Sequence, residues 1–582
     1  MTLQKTKTYF ISLNELEERE ATGEPTATST LLEAYKALPP MALPSWRALG
    51  TEWHFALGNP QEGLNTTLSD LPQSLEPITL PHRTLDPDTP YWYVAMVTIS
   101  EPSVLDIGAD DGAQLYCDGR RIPIQGDTFW VNGSPMPIRM VVRVLNKAVY
   151  GGLEWVNIVP QLEFQHYSAA LLKRIALGRL VRKTRLLRQP LKRQLSAVLN
   201  AVREGTDSTL QKAESQLANY PLTQVGPLLQ NTTTHSTSIL WETDVACSGR
   251  LEWGEGESLS STLDAQSEGN LHSIVLTGLK PNTAYSYRTY SGCVVSLQHT
   301  FRTLPTEGGF AFTYWADPHC SESSVNENIA FRQTVSALQQ FPSAFTVGGG
   351  DFVEDGNHHD AWLSFFDILA PISAQVPTML MGGNHEYDRC FEDLRSIYLE
   401  RYLRNHPQPH YYAWTASNAR FVALDPNVYF PTGIPQGSAE HLWFMQELES
   451  WEWRQAEWRF ILIHQPPYSQ GWLDYQGDMP IRNLLEPLIE KHAIDFVVSG
   501  HTHDYERLTR QYGKQTAHFL ILGGAGGGIE EGALSPQPVM DRVIRYGHFG
   551  HFQVDAGTVI FSAIATDARV LDTLKVSKCG GR

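Results

Sequence analysis

The chain has 582 residues, which suggests several domains at about 150 residues each. With 42% hydrophobic and 19% charged residues, the composition excludes a disordered or fibrous protein. Lys and Arg number 45 against 63 Asp and Glu, so the formal net charge is 45 − 63 = −18, which argues against a dedicated nucleic-acid binder because an acidic surface repels phosphate backbones.

The sequence predicts no transmembrane segment, because no run reaches the roughly 18 consecutive apolar residues that a membrane helix needs. The first residues do not resemble a signal peptide, so the default expectation is a cytoplasmic protein. The six cysteines are scattered without a C-x-x-C pair, which indicates neither a zinc knuckle nor a disulfide scaffold. Cys247 and Cys293 fall in one predicted domain, and whether they are bridged is left open.

The first predicted domain is a β-sandwich. Residues 1–45 form an N-terminal segment with some helical character, and residues 46–162 contain β-rich runs at 91–99 and 139–145 bounded by Pro and Gly. Asp118-Gly119 marks a tight hairpin. This pattern of β-rich runs and a tight hairpin resembles the jelly-roll, galactose-binding-like modules attached to many enzymes. It implies possible carbohydrate contact, or a packing sandwich that binds nothing, and the second interpretation is favoured because a fold alone supplies no site.

The period changes to helical over residues 163–221, where leucines recur every three to five residues and Lys and Arg are dense between 173 and 193. We interpret this segment as a basic helical connector. It can bind a membrane surface or a partner. Docking against the chain's own acidic domains is favoured, since the rest of the chain is acidic.

Residues 222–305 predict a second β-sandwich. The stretch Leu279-Lys280-Pro281-Asn282-Thr283-Ala284-Tyr285-Ser286-Tyr287 is similar to the corner of a fibronectin type III domain, where Pro stiffens the turn and a Tyr hydroxyl bonds to backbone. Its tryptophans are most simply core residues.

From 306 to 582, short apolar strands alternate with helical stretches, which favours an α/β enzyme domain with its ligands at the carboxyl ends of the strands. The predicted strands lie at 310–315, 344–347, 378–381, 411–424 (an antiparallel pair), 459–463 and 495–498. The predicted helices lie near 326–340, 362–369, 439–449 and 481–492.

Five polar clusters each follow an apolar run directly. They are Asp317-Pro318-His319, Gly350-Asp351, Gly383-Asn384-His385-Glu386, His464 and Gly500-His501-Thr502-His503. Each cluster alone is a weak signal, but their joint occurrence at successive strand ends predicts that the side chains converge. On a strand, Asp317 and His319 would point the same way and bind one ion. Carboxylates, imidazoles and one amide oxygen suit divalent or mixed-valence first-row ions.

The order of these motifs resembles the calcineurin-like metallophosphoesterase superfamily, with its D-x-H, G-D, G-N-H-E, H and G-H-x-H pattern. Within it, Gly500-His501-Thr502-His503-Asp504-Tyr505-Glu506-Arg507 and Ile463-His464-Gln465-Pro466-Pro467-Tyr468 are most similar to the purple acid phosphatases, as is a preceding fibronectin-like domain. The resemblance covers residues 222–570 and implies an α/β/β/α sandwich. It also implies that Asp317, His319, Asp351 and His503 hold one metal ion, and that Asp351, Asn384, His464 and His501 hold the other.

The sequence departs from the purple acid phosphatases in its first two motifs. His319 stands where that family has Gly, and Glu354 stands where it has the tyrosine ligand. A neutral imidazole in place of a phenolate lowers the preference for a ferric ion, so we expect a colourless enzyme with Fe(II), Mn or Zn. Glu354 either orients the catalytic His or is a solvated turn carboxylate.

The resemblance implies a metal-dependent phosphatase acting on a small-molecule phosphoester. Two ions would lower the pKa of a bridging water, and the metal-bound hydroxide would attack a phosphate monoester in line. His385 would stabilise the developing charge or protonate the leaving alkoxide. One alternative is a phosphodiesterase or nucleotide hydrolase using the same site. A second is a non-catalytic adhesion or carbohydrate-binding protein with a degenerate hydrolase domain, which would lack at least one ligand.

Four other residues are weaker candidates for substrate contact: His358, His359, Tyr468 and Asp388. Loop histidines are usually solvated. Cys320, beside His319, is interpreted as a buried filler.

Overall fold

The computed structural model of the protein describes residues 43–50, 52–59, 68–84, 86, 89–109, 112–125, 128–146, 151–170, 221–266, 269–321, 325–387, 396–406, 408 and 410–578. The chain divides into two compact units, one ending at Leu222 and the other beginning at Thr223. None of the helices within these ranges combines the length and hydrophobicity that a bilayer crossing needs. The predicted N-terminal segment and the basic connector lie outside the described residues, except for 43–45, 163–170 and 221.

In its described part, the first unit contains two antiparallel sheets of six strands each. One sheet has the order β1-β12-β6-β10-β9, with β4 also paired to β12, and the other has the order β3-β2-β5-β11-β7-β8. Residues 161–170 continue β12 as a helix. The strands are β1 (Arg47–Ala48), β2 (Trp53–Leu57), β3 (Glu76–Ile78), β4 (His82–Thr84), β5 (Thr89–Val97), β6 (Ser103–Ala109), β7 (Ala113–Cys117), β8 (Arg120–Ile122), β9 (Ile124–Gln125), β10 (Thr128–Val131), β11 (Ile138–Asn146) and β12 (Gly151–Pro160).

Strand alternation explains how this unit buries its aromatic residues. Along β5, Tyr91 and Tyr93 point into the core between the sheets. Trp92, on the opposite face, is covered by Leu68, which begins a short 3-10 turn (Leu68–Asp70), and by Leu71, which follows it. Successive side chains of a strand point to opposite faces, and each face of β5 is covered, so both faces are buried.

The second unit begins with two small antiparallel sheets. Their orders are β13-β14-β17 and β16-β15-β18-β19, with β20 also paired to β18. The predicted tyrosine contact is present, because the backbone N–H of Lys280 donates to the Tyr285 hydroxyl at 2.9 Å. Cys247 and Cys293 are not joined by a disulfide bond. The strands are β13 (Thr223–Gln230), β14 (Ser236–Cys247), β15 (Gly249–Glu255), β16 (Ser261–Asp264), β17 (Gly269–Thr277), β18 (Ala284–Ser291), β19 (Val294–Val295) and β20 (His299–Arg302).

The rest of the second unit contains two larger mixed sheets, ordered β23-β22-β21-β31-β32-β33 and β24-β25-β26-β27-β29-β28-β30. Their strands are β21 (Phe310–Trp315), β22 (Phe345–Gly348), β23 (Thr378–Leu380), β24 (Tyr412–Ala416), β25 (Ala419–Leu424), β26 (Trp458–Ile463), β27 (Phe496–Ser499), β28 (Tyr505–Tyr512), β29 (Gln515–Leu522), β30 (Arg542–Ile544), β31 (His548–Asp555), β32 (Thr558–Ala565) and β33 (Val570–Ser577). The helices are α1 (Val325–Leu338), α2 (His359–Ser373), α3 (Ile397–Leu403), α4 (Ala439–Leu448), α5 (Trp451–Gln455) and α6 (Met479–His492), with 3-10 turns at His385–Tyr387 and Pro426–Val428.

These elements form four layers. A core that includes Phe312 and Phe460 lies between the two large sheets. A second core, around Trp315 and Phe365, packs α1 and α2 on the outer face of one sheet, and a third packs α4, α5 and α6 on the outer face of the other. The central parallel strands are apolar on both faces for this reason. The multidomain, mostly β-sheet chain thus ends in an α/β domain.

Strand β14 joins the small sandwich to this α/β domain, because Ile239 points into the sandwich core while Leu240 packs in the cluster around α2. Glu242 adds a buried polar contact. Its carboxylate accepts hydrogen bonds from Arg401 at 2.9 Å and from the Tyr402 hydroxyl at 2.9 Å, both residues of α3.

Candidate metal centre

Each of the five polar clusters stands just beyond the carboxyl end of a parallel strand. Asp317 follows β21, Asp351 follows β22 and Asn384 follows β23, three parallel neighbours in one sheet. His464 follows β26 and His501 follows β27, parallel neighbours in the other. Because parallel strands end at the same edge, the two facing sheets deliver all these side chains to one place.

The backbone at the site takes a conformation that most residues avoid. Asp317, His319, Asp351 and His501 all have positive φ angles, between 49° and 76°. Asp317 and His319 thus lie in left-handed turns beyond the end of β21, not on the strand itself. They still meet, with His319 Nε2 4.0 Å from Asp317 Oδ1. Strain of this kind typically marks functional sites.

Glycines beside the candidate ligands allow a very close approach of chain segments. A Cβ on Gly383 would lie 2.2 Å from Asp351 Oδ1, and one on Gly500 would lie 2.4 Å from Asp317 Oδ2. Neither position accepts a side chain without displacing a candidate ligand.

The structure brings all seven predicted ligands together. Asp317, His319 and His503 form one group and Asp351, His464 and His501 another, with the ligand atoms of each group within 4.8 Å of one another. Asn384 joins the second group, since its Oδ1 lies 2.9 Å from His501 Nδ1.

Asp351 stands between the groups. Its Oδ1 accepts the backbone N–H of His385 at 2.9 Å, which leaves Oδ2 directed at the imidazoles. That oxygen lies 3.0 Å from His464 Nε2 and 3.7 Å from His319 Nε2. It can therefore serve a ligand position in each group.

The hydrogen bonds of the imidazoles show that a cation fits here. His503 Nδ1 donates to the Gly528 carbonyl at 2.8 Å, and His319 Nδ1 donates to the Glu354 carboxylate at 3.2 Å. The remaining ring nitrogens, both Nε2, face each other at 3.0 Å. Two acceptor nitrogens this close need a cation between them, and nearby carboxylates suit a metal ion there better than a lone proton.

The electrostatics of the site favour the same interpretation. Although burial opposes it, the carboxylates of Asp351 and Asp317 raise the pKa of His464 to about 9. Burial and the His319 imidazole lower the pKa of His503 to about 3. His503 is thus a neutral imidazole and a candidate ligand, while positive charge is stabilised beside Asp351.

Glu386 supports the candidate metal centre by accepting hydrogen bonds from the backbone of its loops. The sequence analysis assigned it no role, although the residue belongs to a recognised motif. Its buried carboxylate accepts the backbone N–H groups of Asp351 and Gly383, both at 2.8 Å. It also accepts those of Phe352 at 2.8 Å and Val353 at 3.4 Å. One side chain therefore fixes two ligand-bearing loops.

His385 lies beside the candidate ligand His319, with the centroids of the two rings 4.5 Å apart. Its Nδ1 donates to the main-chain carbonyl of Glu354 at 3.0 Å, so Nε2 is the nitrogen directed elsewhere. The Glu354 carboxylate contacts His319 instead. Glu354 thus orients a candidate metal ligand with its side chain and the candidate catalytic histidine with its backbone, a division that the sequence analysis did not foresee.

The weaker candidates lie in different places. His358 is 4.0 Å from the Asp355 carboxylate at the start of α2. His359 stacks on Tyr398 and contacts Tyr402 at the sandwich junction. Tyr468 is buried against Tyr512, not exposed to substrate. Cys320 is buried, in agreement with its interpretation as filler. Asp388 lies outside the described residues.

Two aromatic residues that the sequence analysis did not single out also contact the site. The rings of Trp472 and Tyr475 lie 5.1 Å and 5.8 Å from that of His501. The signal that could have found them is their position in the loop between His464 and α6.

Comparison with other proteins agrees with this geometry. Residues 312–505 match the family model described as calcineurin-like phosphoesterase. Purple acid phosphatase 21 of Arabidopsis thaliana is 26% identical over 311 residues, covering 51% of this chain and 68% of that protein. Purple acid phosphatase 1 of Ipomoea batatas is 26% identical over 322 residues, covering 48% and 64%. The structure of purple acid phosphatase PPD1 from yellow lupin (Lupinus luteus) seeds superposes with a TM-score of 0.54 at 14% identity, covering 84% of this chain and 92% of that one.

Proposed function

We propose that this chain, a metal-dependent phosphatase whose calcineurin-like phosphoesterase domain is homologous to the purple acid phosphatases, hydrolyses phosphate monoesters at a two-metal site. The observation that carries the proposal is the pair of opposed Nε2 atoms of His319 and His503, 3.0 Å apart beside two carboxylates. A packing role for these histidines would not set two acceptors against each other.

The residues divide between the two ions as the family pattern implies. Asp317, His319 and His503, with Asp351, would hold one, and Asn384, His464 and His501, with Asp351, the other. Two such ions would supply a Lewis acid for the phosphoryl group and would lower the pKa of a water, so that a hydroxide nucleophile would be available at neutral pH.

We assign the chain's own contribution to the chemistry chiefly to His385. Its Nδ1 is held by the Glu354 carbonyl, so Nε2 can carry a proton toward the departing oxygen. Hydrolysis breaks the ester P–O bond, and that proton neutralises the leaving alkoxide. The donor set also supports our proposal for the metals. An imidazole at His319 and a carboxylate at Glu354, in place of a phenolate, favour divalent Mn, Zn or Fe(II), without a tyrosinate colour.

We propose further that residues 222–305 form a fibronectin type III-like domain and that residues 46–162 are galactose-binding-like. The Lys280 to Tyr285 hydrogen bond supports the first, and the two six-stranded sheets support the second. Carbohydrate contact through the first sandwich and a cytoplasmic location stay predictions.

The test is an assay of metal-stripped protein on p-nitrophenyl phosphate and on bis(p-nitrophenyl) phosphate, before and after adding Mn, Zn or Fe(II). We expect chelation to abolish monoester hydrolysis, metal to restore it and Asn384→Ala to prevent the restoration. Asn157→Ala, on β12 of the first unit, is the matched control. Activity that survives both chelation and Asn384→Ala would overturn the proposal, and a preference for the bis ester would replace the monoesterase with a phosphodiesterase.

A further inference from the structure

Trp472 and Tyr475 form a surface beside the candidate metal centre that we call the aromatic wall. Both are half-buried, and their rings lie 5.3 Å apart. Each also contacts the ring of His501, at interplanar angles of 63° and 67°. The wall therefore borders the candidate ligand set directly.

The loop that carries the wall is firmly anchored. The buried Glu506 carboxylate accepts the Ser469 hydroxyl at 2.6 Å, the Gln470 N–H at 2.7 Å and the Gly471 N–H at 3.0 Å. Arg545 donates to the Gly471 carbonyl at 3.0 Å. The backbone N–H and the carbonyl of the residue immediately before Trp472 are thus both held, and the wall is pre-organised for binding rather than formed by it.

The charges beside the wall restrict what can bind there. Glu530 lies beside Trp472, and its Oε1 lies 3.9 Å from His503 Nδ1. Glu354 lies against His319, in the same candidate group as His503. The Arg545 guanidinium offsets part of the Glu530 charge, and the Glu354 carboxylate still disfavours a leaving group that carries further negative charge, such as additional phosphates. The apolar indole face favours an uncharged planar group.

We propose that the aromatic wall selects phosphate monoesters with an uncharged aryl leaving group, whose ring packs against Trp472 while the phosphate is held at the metal ions. This inference rests on the proposed function and names the substrate class of that site. Trp472 is accordingly a specificity-determining residue, and Glu530 lies beside it.

The experiment compares two matched ligand pairs, phenyl phosphate with cyclohexyl phosphate and phenylphosphonate with cyclohexylphosphonate. The phosphonates cannot be hydrolysed, so isothermal titration calorimetry on metal-loaded protein measures ring recognition apart from chemistry. We expect the wild type to bind phenylphosphonate more tightly than its saturated analogue. Trp472→Leu should reduce that preference by about three- to tenfold, the range of a single aromatic contact. Trp472→Phe should restore most of it.

The outcomes distinguish this inference from the proposed function. Trp451→Leu, which removes an exposed indole from α5, is the control and should leave both ligands unaffected. If Trp472→Leu weakens both phosphonates equally, Trp472 only supports His501 and the inference is overturned. If wild-type protein hydrolyses both esters without discriminating between them, the inference fails while the proposed function stands. If metal-loaded wild type hydrolyses neither ester, both fail.

Discussion

Replacing Glu242 by Gln should destabilise the junction between the small sandwich and the α/β domain by a calculable amount. The side chain is 1% exposed and accepts hydrogen bonds from Arg401 and Tyr402. Burial alone would raise the pKa of Glu242, but hydrogen bonds from His359, Arg401 and Tyr402 and the guanidinium charge lower it from 4.5 to about 2. At about 1.4 kcal/mol per tenfold change in proton affinity, this corresponds to about 3 kcal/mol.

The pH dependence follows from the direction of that shift. Because the folded-state pKa lies below the unfolded value, the stabilisation is fully present above pH 4.5 and is lost as the pH falls toward 2. Glu242→Gln, which keeps the shape and removes the charge, should lower the free energy of unfolding by about 3 kcal/mol at pH 7 and by about 2 kcal/mol at pH 3.5.

Urea unfolding of the full chain, followed by fluorescence at both pH values, measures the effect on the transition of the second unit. Because several domains can unfold in separate transitions, wild type and variant are compared at the transition whose midpoint the substitution shifts. The control is Glu255→Gln, which removes an exposed ion pair to Lys280 in the same sandwich and should leave unfolding unchanged. A Glu242→Gln effect that is equal at pH 7 and pH 3.5 would refute the reasoning.

Three further predictions concern the site and the sandwich. Glu386→Gln presents an amide N–H₂ to backbone donors, so two of the four hydrogen bonds are lost. We expect the free energy of unfolding to fall by about 3–6 kcal/mol and the metal content, measured by plasma mass spectrometry, to decrease. Full metal content in the variant would contradict this. His385→Asn should lower kcat by about 10²–10⁴-fold while both ions stay bound, and an unchanged kcat on esters with poor leaving groups would exclude it as the proton donor. Tyr285→Phe should cost about 1 kcal/mol in thermal unfolding by leaving the Lys280 N–H without its acceptor; no change would show that this contact contributes nothing.

Much of the α/β domain follows from hydrophobic periodicity. The expected strand at 459–463 corresponds to β26 (Trp458–Ile463), and the expected helix at 481–492 corresponds to α6 (Met479–His492). These elements are long or apolar enough to dominate local propensity. The strands from Tyr505 to Ser577 were not predicted. Their apolar residues are interrupted by polar ones on partly exposed faces, and pairing partners far apart in the chain determine their registers.

The candidate site was predictable in its residues but not in its geometry. Asp317 and His464 each follow an apolar run in the sequence, and this predicted that both lie at strand ends. That inference needs only the order of the strands along the chain. The left-handed backbone at Asp317 could not be predicted, since non-glycine residues adopt it only when the surrounding structure imposes it. Likewise, the four bonds to Glu386 and the contact of Trp472 with His501 join loops that no local pattern brings together.

The central claim, that Asp351 lies between two metal ions, is tested most directly by anomalous diffraction from crystals of the metal-loaded protein. The account predicts two peaks about 3.5–4 Å apart, with Asp351 Oδ2 between them and His319 and His503 on one side. A single peak, or two peaks that share no ligand, would contradict it.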